Sequence, residues 1–157
     1  MYFTDKRAAF VELVDSLGAR LRSTLTRAVV GQKDRLAIER AGLTAFFQFL
    51  AKHRKLYRII RQAEFVDPEA FRRYYDHLEQ GYVAGLRRAM ARGEIRQLDP
   101  VVTAHCLMGI SDFLGMRWAL WEKADDAQIE AVVDSAMQLL SHGLAPAPAS
   151  RAKRSRS

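Results

Sequence analysis

The chain is poor in cysteine and proline, and it has no long apolar run. Cys106 is the single cysteine among 157 residues, which excludes an internal disulfide framework and a multi-cysteine metal centre. No uninterrupted apolar stretch approaches the ~18 residues that a membrane span needs. The opening Tyr2-Phe3-Thr4-Asp5-Lys6-Arg7 lacks the basic-then-apolar layout of a signal peptide, so a cytoplasmic location is expected. Acid is missing only at the C-terminus, where Arg151, Lys153, Arg154 and Arg156 account for four of the seven net positive charges. Residues 1–144 are therefore mildly basic, and the high pI is no argument for nucleic-acid binding.

Against these absences, hydrophobic residues make up 49% of the chain and charged residues 27%, a globular balance with material for one core. Two of the four prolines follow aspartate, at Asp67-Pro68 and Asp99-Pro100. An aspartate side chain accepts from the free N–H groups of a first helical turn, and proline suits the first helical position. Each pair therefore predicts a helix start. Asp34 is a further candidate cap, and Asp125 with Gln128 has the spacing of a capping box. Gly31, Gly93 and Gly143 predict helix ends.

Between these marks the apolar spacing is helical. Phe10, Val14, Leu17, Leu21 and Leu25 form one stripe. Leu36, Leu43, Phe47 and Leu50 form a second; Phe71, Tyr75, Leu78, Tyr82 and Leu86 a third; Ile129, Val132, Val133, Ala136, Met137 and Leu140 the last. The spacing predicts an all-α bundle of about six helices, near 5–30, 34–53, 55–63, 68–92, 99–122 and 125–142. The fifth is apolar on every face, so its own domain is expected to cover one side and a second subunit or a ligand the other.

No nucleophile elbow, zinc-protease helix or phosphate-binding loop occurs. His53, His77, His105 and His142 never pair at i,i+4 metal spacing, and His105 and Cys106, as helix neighbours, point in different directions. Glu64 and Asp67 could form an acid–base pair, but Asp67 is better explained as a cap. Neither enzymatic activity, nor a metal, nor a cofactor is expected. Aromatic residues concentrate in mid-chain with Arg58, Arg61 and Gln62 among them, which suits either plain core or an apolar pocket with a few polar groups. The candidate pocket lies between helices 34–53, 55–63, 68–92 and 99–122. Its expected walls are Phe46, Phe49, Leu50, Tyr57, Phe65, Tyr75, Leu78, Tyr82 and Met108, with Arg61 and Asp112 as orienting polar groups.

The segment Tyr2-Phe3-Thr4-Asp5-Lys6, followed by Ala8, Ala9, Phe10, Leu13 and Val14, resembles the close of the DNA-binding domain in tetracycline-repressor (TetR) family regulators. Glu64-Phe65-Val66-Asp67-Pro68 and the run from Gly93-Glu94-Ile95-Arg96 to Asp99-Pro100 are similar to that family too. The resemblance implies a division into residues 1–4, a remnant of the DNA-binding domain; 5–144, an effector-binding and dimerisation domain; and 145–157, a disordered basic tail. It implies phosphate contacts for Tyr2 and Lys6, and a repressor released from operator DNA by a small, mainly apolar effector. It also implies a homodimer built as a four-helix bundle from the last two helices, through Phe113, Ile129, Val132, Val133, Ala136, Met137 and Leu140. About forty residues of helix-turn-helix have no counterpart before Tyr2, so residues 1–157 alone are expected to place no recognition helix in a major groove. The rival reading from the residues is a helical carrier of an apolar molecule with no role on DNA.

Overall fold

The computed structural model describes residues 2–146, with side chains from Asp5 onward. The expectations for the Tyr2 side chain and for the tail from residue 147 lie outside the described residues. Six α-helices follow in order: α1 (Tyr2–Val29), α2 (Arg35–Lys52), α3 (Arg54–Val66), α4 (Pro68–Ala91), α5 (Pro100–Leu114) and α6 (Asp126–His142). A π-helical segment, Gly115–Trp121, continues α5 without a break. Among the described residues there is no strand, and the fold is all-α as the apolar spacing predicts.

The helix starts are where local chemistry puts them. Asp34 accepts from Ala37 N–H at 2.9 Å, Asp67 from Ala70 N–H at 3.1 Å, and Asp99 from Val101 and Val102 N–H, both at 2.9 Å. Asp125 and Gln128 form the full reciprocal capping box. Asp67 also accepts from Arg7 Nε at 3.1 Å, tying the start of α1 to the α3–α4 corner. Its bond from Ala70 N–H, helped by Arg7, holds the carboxyl below its usual range. At the end of α4, Gly93 takes a positive φ of 71°, and Glu94 turns back to accept from the Arg35 backbone N–H at 2.9 Å, which caps α2.

Helix α2 is the central element, packed against α1, α3, α6 and the π segment. Its Leu43, Phe47 and Leu50 meet Val14, Leu17 and Leu21 of α1 and Ile129, Val133 and Met137 of α6 in one core. Each such fully buried side chain contributes roughly 1.5–3 kcal/mol relative to exposure. A smaller cluster, Leu86, Met90, Ala104 and Leu107, joins α4 to α5.

The sequence predicts one fifth helix over 99–122; the structure divides it. From Gly115 the turns widen, and Glu122 N–H bonds to the carbonyl of Arg117, five residues back, at 2.9 Å. The Ala119 carbonyl receives Arg54 Nε from α3 at 2.9 Å, an outside donor for the loosened ladder. Gly115 lies at the closest approach of this helix to α2. A Cβ there would stand 2.5 Å from Leu50 Cδ1 and 3.1 Å from Phe46 Cε1. Leu50 is fully buried and has nowhere to retreat. Gly115→Ala is therefore expected to cost about 1–3 kcal/mol through overpacking, despite the better helix propensity of alanine. A lowered urea midpoint would show it; an unchanged midpoint would mean the approach is looser than described.

Candidate binding cavity

A cavity of about 420 Å³ opens between α1, α2, α4 and α5, within the range of small-molecule sites. Gly42 of α2 and Gly81 and Gly85 of α4 all line it. A Cβ on Gly81 would meet nothing within 4 Å, whereas one on Gly85 would fall 2.5 Å from Arg35 Nη1. Leu21, Leu25 and Val29 of α1, Ile38 and Phe46 of α2, Leu78 of α4 and Met108 of α5 supply the apolar wall.

Two polar centres lie in this wall. At the first, Asp112 of α5 accepts from Tyr57 Oη at 2.8 Å and from Tyr75 Oη at 2.6 Å. Burial pushes the Asp112 carboxyl up from its ordinary value, and the two phenols and the more distant Arg61 only partly oppose it. Burial likewise drives Tyr57, Tyr74 and Tyr75 upward, so all three stay neutral. The Tyr74 hydroxyl, buried beside them, has no hydrogen-bond partner among the described residues. At the second centre, Arg35 and Glu39 form a buried i,i+4 ion pair, and the guanidinium lies 5.7 Å from the centre of the Tyr82 ring. Burial still raises the Glu39 carboxyl, outweighing the attraction of Arg35.

Because its folded-state pKa is raised, Asp112 weakens the fold above that value, and the cost disappears as pH falls through it toward 3.8. Asp112→Asn is expected to stabilise the empty protein by about 1 kcal/mol at neutral pH, since the amide carries no charge to desolvate. Urea denaturation across pH 4–8, a window chosen to bracket an ordinary and a raised carboxyl at about 4 and above, should show this advantage shrinking as pH drops. A less stable variant at pH 7 would mean that the phenols fully solvate the carboxylate.

Of the residues singled out from sequence, Phe46, Tyr75, Leu78, Tyr82, Met108 and Asp112 share this cavity. Tyr57 and Leu50 lie behind it in the core, Tyr57 reaching Asp112 from below. Phe49 is buried outside the cavity, its ring 4.5 Å from that of His53, at the edge of an open polar groove between α1 and α2. Arg61 is exposed on α3 outside the cavity, and Phe65 is 85% exposed. The reason for Phe65 is helical phase: α3 packs through Tyr57, Ile60 and Ala63, and a residue two beyond Ala63 is turned about 200° away. Sequence reasoning missed the whole α1 wall and the Arg35–Glu39 pair. A charged i,i+4 pair inside an apolar stripe and three mid-helix glycines were the available signals.

The residues expected at the dimer face divide between the core and an open groove. Ile129, Val133 and Met137 are 1–6% exposed within a single chain, because the stripe of α6 packs onto α2. Leu140 and Val132 are half-buried, and Phe113 is 71% exposed. Phe113, Val132 and Ala136 line the open apolar groove, together with Leu114, Trp118 and Leu139. Lys6 is exposed on the first turns of α1.

An all-helical domain with a central α2, a cavity beside it and a final helix pair bearing an open apolar face has the fold of TetR-type transcriptional regulators. A crystal structure assigned to a TetR-family transcriptional regulator of Syntrophomonas wolfei matches it with a TM-score of 0.76, over 91% of this chain and 76% of that one. Sequence identity is 15%, so the likeness is one of fold. No family sequence profile and no curated protein matches the chain. Among the described residues, no group of three or more histidine, cysteine or acidic side chains could hold a metal ion, and no helix is long and apolar enough to cross a membrane.

Proposed function

We propose that residues 5–144 are the effector-binding and dimerisation domain of a TetR-like transcriptional regulator, a repressor released from DNA by a small, mainly apolar ligand. The observation that carries this reading is the position of the cavity. It touches α1, which runs toward the N-terminus, and α5, whose opposite side bears the open apolar face. A ligand seated there contacts both elements and can bias their relative arrangement, which is what coupling between two sites requires. In this reading Lys6, exposed on the first turns of α1, contributes at most a phosphate contact, which positions without specifying.

The last helix pair serves dimerisation through the groove lined by Phe113, Val132 and Leu139, and the interface is expected to bury more than ~1,200 Å². Native mass spectrometry of the purified protein tests both halves of the reading at once. The expected spectrum is a dimer carrying a co-purified small molecule. A monomer with bound ligand would instead favour a helical carrier, and a protein that neither dimerises nor binds small molecules would remove the proposal.

A further inference from the structure

We propose that the cavity takes an amphiphilic cation: an apolar body bearing a protonated amine that seats on Asp112. This rests on the effector-binding reading and specifies the chemistry of its ligand. The Asp112 carboxylate lies in an otherwise apolar wall, and each of its oxygens accepts one phenol, from Tyr57 and from Tyr75. Those donors supply dipoles and no charge. Among the described residues no basic side chain forms an ion pair with Asp112. Arg61 acts on it only from a distance and does not offset its burial; a carboxylate removed from water without a paired counter-charge is costly, and a cation is the partner that answers it.

The surroundings point the same way. Each carboxylate oxygen retains acceptor capacity beyond its phenol, which an ammonium N–H can fill. The neighbouring Ser111 donates its own proton to the Leu107 carbonyl at 2.9 Å, so toward a ligand it offers lone pairs only. The rings of Phe46 and Tyr75 line the same space, and aromatic faces attract cations, while the Tyr82 ring already carries the Arg35 guanidinium. The basic lining residues do not reverse the sign. Arg35 is paired with Glu39 through its Nη2, and its buried Nε is left without a hydrogen-bond partner among the described residues. Arg88 and His77 are exposed, and Arg22 is half-exposed, so all three keep contact with water at the rim. Leu25, Val29, Ile38, Leu78 and Met108 supply the surface for the apolar body.

Three probes with the same ten-carbon chain separate charge from hydrophobicity: decylammonium, decanol and decanoate, titrated by calorimetry below their micelle concentrations at pH 7. Decylammonium is expected to bind about tenfold or more tightly than decanol, the worth of one charge-assisted hydrogen bond, with decanoate weakest. Asp112→Asn is expected to bring decylammonium down to the level of decanol while leaving decanol unchanged. Leu78→Trp is expected to weaken all three, which places them in this cavity. Tightest binding by decanoate, or an amine preference that survives in Asp112→Asn, overturns the proposal and leaves the effector-binding reading standing. If none of the three binds, the amphiphilic-cation proposal falls, and the effector-binding reading is decided by the native mass spectrum. The order of affinities in the unaltered protein decides the matter independently of how the variant folds.

Discussion

Phe113→Asp is expected to turn the proposed dimer into a monomer without loss of fold. Phe113 is 71% exposed in the single chain, so a carboxylate there costs the isolated protomer little. In a two-fold interface the same residue appears twice, and each copy would bury a charge with no partner. About 4 kcal/mol or more would be lost, roughly a thousandfold in the dimerisation constant. Sedimentation equilibrium at micromolar concentration measures this directly, with circular dichroism to confirm the helices. Val133→Asp makes the contrast. Val133 is 1% exposed against α2, so its charge should unfold the protomer before any interface is tested. A Phe113→Asp protein that remains dimeric would place the interface elsewhere.

Leu78→Trp is expected to abolish ligand binding and leave the dimer intact. Leu78 stands on α4 at the cavity wall, and a larger ring there fills space that the apolar body of a ligand would occupy. A ligand held mainly by apolar burial at ~25 cal/mol per Å² loses most of its affinity when that surface is denied to it. The open face of α5 and α6 contains no α4 residue, so sedimentation should not change. Calorimetric titration of decylammonium with an unaltered affinity would show that the ligand binds outside the cavity.

How legible this molecule is from sequence depends on how local each feature is. The caps at Asp34, Asp67, Asp99 and Asp125 involve partners within three residues, and all of them form as read. The stripes on α1, α2 and α6 show which residues are buried. They do not show what buries them, because an apolar face looks the same whether its partner is in the same chain or another. That is why Val133 and Met137 were assigned to the dimer while they pack onto α2. Cavity membership is less local still. Phe46 and Phe65 are equally aromatic, yet one faces the cavity and the other faces water, because the phase of each helix is set by contacts distant in sequence. Gly81 marks open space on the wall, which periodicity does not register because it counts side chains, whereas the space beside Gly85 is filled by Arg35.

The π segment between Gly115 and Trp121 has a consequence for which length changes this chain can absorb. A π turn is an α-helix with one residue added, and one residue of α-helix is worth about 100° of rotation. The wider turns take up that surplus. Upstream, Met108 and Asp112 face the cavity; downstream, Ala119 and Leu120 face the core, 1% and 3% exposed. Deleting one residue within 115–121 would remove the surplus and leave a regular helix whose flanking residues keep the phase they already have. Shortening the loop at 95–98 by one residue would likewise leave every helical phase untouched. Related chains are therefore expected to vary in length by one residue at either place.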